Sequence, residues 1–87
     1  MKTSLMLADQ FRRYPTLQQW QIARNHGRVI LSQNTPNHEI IVYQLEDFFV
    51  ETWQNLNNQM LDSLVTYKTT QLLEKHAEAI NIDDLYR

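Results

Sequence analysis

The sequence predicts an α+β domain: a four-stranded antiparallel meander sheet with two N-terminal helices and one C-terminal helix. Three observations lead there. Apolar residues fall at helical spacing up to Tyr14 and again near the C-terminus. From Arg28 the pattern becomes alternating, in β-branched and aromatic segments separated by turn clusters. At 87 residues, 43% apolar and 21% charged, the chain has room for one core and the composition of a folded protein, so residues 1–87 are read as a single domain.

Thr3 or Ser4 can cap a first helix, in which Leu7, Ala8, Phe11 and Tyr14 make one apolar stripe. Asp9 is spaced to pair with Arg12 or Arg13. Pro15 disfavours a helical Tyr14 and should end the helix there. The next stretch, TLQQWQIARNHG, carries Leu17, Trp20, Ala23 and Arg24 on a helical face, although QWQIAR also alternates and Asn25-His26-Gly27 could be a hairpin turn. We favour a helix from Thr16; under either reading Gly27 is expected at positive φ.

Strands follow as VILSQ, EIIVYQL, FFVETWQ and MLDSLVTY, separated by NTPNH, a Glu46-Asp47 turn and a four-residue loop at 55–58. Thr69 or Thr70 opens the last helix, with Leu72, Leu73, His76, Ala77 and Ile80 on its inward stripe and Asn81 as its stop; Ile82, Leu85 and Tyr86 then form a short docking tail. A two-residue turn pairs Leu45 with Phe48, Tyr43 with Val50 and Ile41 with Thr52 on a first, core face, joined from the last strand by Leu61, Val65 and Tyr67. The second face carries Ile40, Val42, Gln44, Phe49, Glu51 and Trp53, with Met60, Asp62 and Leu64 from the last strand.

That second face is apolar with polar interruptions. A solvated strand face is normally polar, and an apolar patch with a polar rim marks an interface. Ile40, Val42, Phe49, Trp53, Met60 and Leu64 are therefore the candidate protein interface, covered by a second copy or a protein partner; the competing expectation is that Met1–Tyr14 folds across this face.

The segments VYQLEDFFVETWQN and QLLEKHAEAINIDDLY resemble small uncharacterised orphan domains of bacterial genomes with no assigned activity. The resemblance covers the second half of the chain and supports the fold reading, with no catalytic motif and no chemistry implied.

Without cysteine, disulfides, thiol catalysis and thiolate metal sites are excluded. A single glycine excludes a glycine-rich phosphate loop. The apolar run in MKTSLMLADQ is too short for a signal peptide, and no window suggests a membrane span, so a cytoplasmic protein without membrane association is expected. His26, His38 and His76 lack metal-ligand spacing, and no metal or other cofactor is expected. Glu51 and Asp62, expected opposite one another across two strands, are the nearest thing to an acid–base pair, but no cation is expected beside them. Ser4, Ser32 and Ser63 lie in no nucleophile motif.

Charge is unevenly distributed. Residues 1–38 hold five basic groups and one acid, whereas residues 39–87 hold three basic groups and nine acids. The two halves can complement each other within the fold or across a dimer. Alternatively Arg12, Arg13, Arg24 and Arg28, in an acid-free segment with Tyr14 and Trp20, could contact nucleic acid. The sequence thus leads to a non-enzymatic protein–protein interaction or accessory domain, self-associating as a homodimer through the second sheet face, with a small nucleic-acid-binding regulator as the alternative.

Overall fold

The computed structural model describes residues 7–68. The expected helix from Thr69 or Thr70, the docking tail after it and the caps at Thr3 and Ser4 lie outside the described residues. Two helices, α1 (Ala8–Arg12) and α2 (Thr16–His26), precede four strands: β1 (Arg28–Asn34), β2 (His38–Leu45), β3 (Phe48–Asn55) and β4 (Leu61–Tyr67). The strands form one antiparallel sheet in the order β1-β2-β3-β4. This is the α+β meander expected from the alternation, with each connection the shortest available.

Local chemistry sets the boundaries. The Gln10 side chain accepts a hydrogen bond from the Leu7 backbone N–H at 3.2 Å, occupying a donor left free at the start of α1. The chain passes through Pro15, whose carbonyl accepts from the Gln19 N–H at 2.9 Å, and α2 begins at once. In the β1–β2 turn, Thr35 supplies both a backbone donor to the His38 carbonyl at 2.8 Å and a hydroxyl acceptor for the His38 N–H at 2.9 Å. The β3–β4 connection closes when Asn55 and Met60 pair, at 2.8 Å, around a four-residue loop Leu56–Gln59. The loop therefore starts one residue later than expected, with Gln59 at φ 63 and the Asn55 side chain accepting from the Asn57 N–H.

Gly27 corrects the sequence reading. Its φ is −83, which any residue can adopt. Glycine is needed for space instead: a Cβ there would stand 2.6 Å from the Ala23 carbonyl oxygen and 2.9 Å from the Tyr43 Cβ. The end of α2 is thus pressed against β2, and the left-handed conformations fall on Glu46 (φ 50) and Gln59.

The β2–β3 register is as expected, with Leu45 opposite Phe48, Tyr43 opposite Val50 and Ile41 opposite Thr52. Both helices pack on this first face. Phe11, fully buried, meets Phe48 with ring centroids 5.3 Å apart, and Ala23, Tyr43, Leu45 and Val50 complete the cluster. Leu7 and Tyr14, placed on an apolar stripe by their spacing, are exposed because α1 is a short helix that ends before Tyr14 and reaches the sheet through Phe11; Leu17, in the first turn of α2, is exposed as well. The expectation that Met1–Tyr14 crosses the second face does not hold for α1.

Two bulges set which face the outer strands present. Ile30 is the extra residue of β1, between the Val29–Tyr43 and Leu31–Val42 pairs. Asp62 is the extra residue of β4, between the Leu61–Gln54 and Ser63–Trp53 pairs. Because side chains alternate, one inserted residue reverses everything beyond it. Leu64, expected on the second face, therefore pairs with Thr52 and packs into the helix-covered cluster. Val65 and Tyr67, expected on the first face, stand on the second, opposite Glu51 and Phe49.

Replacing Gly27 by Ala should destabilise the fold by about 1–3 kcal/mol through overpacking against backbone and Tyr43. Urea unfolding followed by circular dichroism measures it. An unchanged midpoint would mean that the junction of α2 and β1 is looser than described.

Candidate protein-interaction surface

The second face has a closed centre and an open end. Val42 and Phe49 are buried at its centre, with Ile30, Leu31 and Tyr67 packed against them. Ile40 is 5% exposed and Glu51, a carboxylate, only 1%. The Tyr67 hydroxyl donates to Glu51 Oε1 at 3.2 Å, which helps keep the acid hydrogen-bonded in an apolar setting.

The open end lies towards the β3–β4 turn. Trp53 is half-buried there, and the His38 ring meets its edge at 5.5 Å between centroids. His38 lies on the same face because β2 starts two residues before Ile40, in phase with it. Its Nε2 is 2.7 Å from Asp62 Oδ2, and Asn55 Nδ2 donates to the same oxygen at 3.2 Å. The bulge is what brings this together: the residue inserted into β4 delivers its carboxylate to a histidine on β2 and an asparagine on β3. Hydrogen bonds from His38, then Asn55, hold the Asp62 carboxyl below the usual aspartate range.

Two exposed apolar side chains share this face. Met60 pairs with Asn55 and precedes Leu61, which lies on the first face, so alternation puts Met60 on the second. It is 55% exposed, and Val65, opposite Glu51 on the same face, is 38% exposed. Of the six residues expected to form an interface, then, Trp53 and Met60 are at the open end, Ile40, Val42 and Phe49 are at the closed centre, and Leu64 is on the opposite face.

Glu51 and Asp62 do not form the expected cross-strand pair: Glu51 opposes Val65, and Asp62 is taken up by His38. Sequence reading placed His38 in a loop and expected no cation on this face. The signal that could have corrected it is the phase of His38 with Ile40 and Val42. Among the described residues, no three His, Asp or Glu side chains are grouped to hold a metal ion, and no helix is long and apolar enough to cross a membrane.

The four arginines divide between the two ends of α2. Arg12 and Arg13 are at its N-terminal approach, and Arg12 is 3.5 Å from Asp9. Arg24 lies one helix length away, about 12 Å for eight residues, with its guanidinium 4.9 Å from the Trp20 ring. Burial raises the Tyr43 phenol's pKa, and the nearby positive charge of Arg24 partly opposes that. Arg28 begins β1 opposite Gln44. An open cleft of about 630 Å³ lies beside α1, lined in part by Asp9, Arg12, Asp47, Phe48 and Lys68, with charges of both signs.

Comparison with family models, with curated proteins and with solved structures finds no match to the chain.

The Asp62 geometry has a pH consequence. Its folded-state pKa is depressed, so its contribution is complete above the ordinary aspartate range and is lost as pH falls through the folded value. Asp62→Asn should therefore flatten the acid side of the stability profile while leaving the slope near neutrality unaffected by this carboxyl. Urea midpoints from pH 2 to 7 measure this; identical acid limbs in the two proteins would show that the His38–Asp62 contact is too weak to matter.

Proposed function

We propose that this chain is a non-enzymatic protein-interaction domain that self-associates through the Trp53 end of its second sheet face. The observation that carries the reading is the pair of exposed apolar side chains on this face, Met60 and Val65, beside a half-buried Trp53. A tryptophan within apolar surface, rimmed by the hydrogen-bonded His38, Asn55 and Asp62, has the composition of an interface core with a polar rim. The contact is centred on Trp53 rather than on Phe49, because Phe49 is already 2% exposed in a single chain and has no area left to lose.

The bulge at Asp62 favours face-to-face docking over edge pairing. β4 is an outer strand whose open edge would otherwise pair with another strand, and a bulge distorts such an edge. A second copy is the partner of choice because the same patch, turned about a two-fold axis, meets itself. The nucleic-acid reading has less support: Arg12 and Arg24 are engaged with Asp9 and Trp20, and the four arginines do not share one end of the molecule.

Met60→Asp and Val65→Asp, each at an exposed position, should convert a dimer into a monomer with unchanged circular dichroism. Light scattering at high micromolar concentration reads the mass. A monomeric wild-type chain, or variants that keep the dimer mass, would end this assignment.

A further inference from the structure

The Trp53 end of the sheet carries almost no charge. Residues 32–38 and 53–63 make up this end, and their ionisable side chains are His38 and Asp62 alone. Glu39 follows His38 along β2 and so lies on the other face. Glu51, next to Trp53 on this face, is 1% exposed and accepts from Tyr67. The other described neighbours of His38 are uncharged: Trp53 and Asn55 on β3, and Thr35 in the β1–β2 turn. One pair, with Nε2 and Oδ2 2.7 Å apart, therefore sets the charge of this surface.

The geometry fixes where a proton enters. An ionised carboxylate only accepts hydrogen bonds, so the Nε2 facing Asp62 carries a hydrogen in either charge state of the ring. The proton that distinguishes the two states sits on Nδ1. That atom has no hydrogen-bond partner among the described residues and is not sealed from solvent. Uptake leaves the His38–Asp62–Asn55 contacts in place and takes the pair from a single negative charge to none. Asp62 stays ionised near neutrality, because hydrogen bonds from His38, then Asn55, hold its carboxyl below the usual aspartate range.

We infer, on the premise that two copies meet through the Trp53 end, that protonation of His38 tightens their association and loss of that proton loosens it. A two-fold axis through this patch places the same pair on both sides of the contact. With neutral imidazoles, two Asp62 carboxylates meet across largely apolar surface, and like charges brought into an interface repel. With both imidazoles protonated, each carboxylate is neutralised by its own neighbour and the repulsion disappears. The dimer then takes up protons as it forms, so its dissociation constant rises with pH through the range in which histidine changes charge.

Sedimentation equilibrium of the full chain at about pH 8, 7 and 5.5 reads that constant. It should fall by roughly three- to tenfold from the highest to the lowest pH at low salt, and the difference should shrink as salt screens the carboxylates. Other histidines titrate as well, so variants assign the effect. His38→Gln should keep the weaker constant at every pH. Asp62→Asn should invert the dependence: uncharged at high pH and positive once His38 is protonated, it should associate less well as pH falls. His26→Gln, at the opposite end of the sheet where α2 leads into β1, should behave as wild type. Circular dichroism at each pH checks that the fold is intact. A wild-type dimer whose constant ignores pH, a His38→Gln protein with the full wild-type dependence, or an Asp62→Asn protein whose dependence keeps the wild-type sign overturns the inference while leaving self-association standing. A wild-type chain that is monomeric at every pH overturns self-association and this regulation together.

Discussion

The β2–β3 hairpin is buried on both faces, and the remaining architecture answers to that. Val50 and Val42 are both fully buried, yet they stand on opposite sides of the sheet. A central hairpin of this composition cannot form the half-solvated sheet common in antiparallel proteins. Each large side chain removed from water contributes roughly 1.5–3 kcal/mol, and a domain of this size buries a smaller share of its surface than a larger one. With no disulfide available, shelter for both faces is a principal source of stability. α1 and α2 provide it on one side through Phe11 and Ala23.

The same constraint governs the polar groups within the hairpin. Thr52, 2% exposed, donates its hydroxyl to the Ile41 carbonyl at 3.3 Å, and Glu51 accepts from Tyr67. Each is hydrogen-bonded within the sheet, as buried polar side chains must be if they are not to carry their full desolvation penalty. The bulges at Ile30 and Asp62 belong to the same economy of surface. The first brings Ile30 and Leu31 against Val42 and Phe49; the second turns Tyr67 towards Glu51 and Leu64 towards the helices.

Most of the strand layout was legible because alternation is a strong signal in this chain. EIIVYQLEDFFVETWQ has a short turn between two unbroken β-patterned runs, and the two-residue Glu46-Asp47 turn sets the register that pairs them. Helix α2 was recoverable despite the alternation of QWQIAR, since its face is set by Ala23 and partly buried Ile22 and Trp20. The bulges were not recoverable. In MLDSLVTY, Leu61, Leu64 and Val65 fit either face, and nothing local marks Asp62 as the extra residue. That single insertion moved Leu64, Val65 and Tyr67 across the sheet and assembled the His38–Asp62–Asn55 cluster from three strands. Gly27 was legible as a special position but for a different reason, because close approach of Tyr43 is a tertiary fact while positive φ is a local one.

The contrast between closed centre and open end is the physical basis for placing the proposed interaction surface at the Trp53 end. Apolar side chains at the middle of a sheet are surrounded by others and can be sheltered by one layer laid across them. At the β3–β4 turn many of the groups are polar backbone, asparagines and glutamines, which must remain wet or be individually satisfied. A covering layer that reached that far would have to desolvate Asn55, Asn58 and Gln59 together with Asp62. Leaving the end open avoids that penalty but strands Trp53 and Met60 in partial contact with water. Those two side chains then keep apolar area open on this face, beside the hydrogen-bonded His38, Asn55 and Asp62, which is the arrangement the proposed self-association would use.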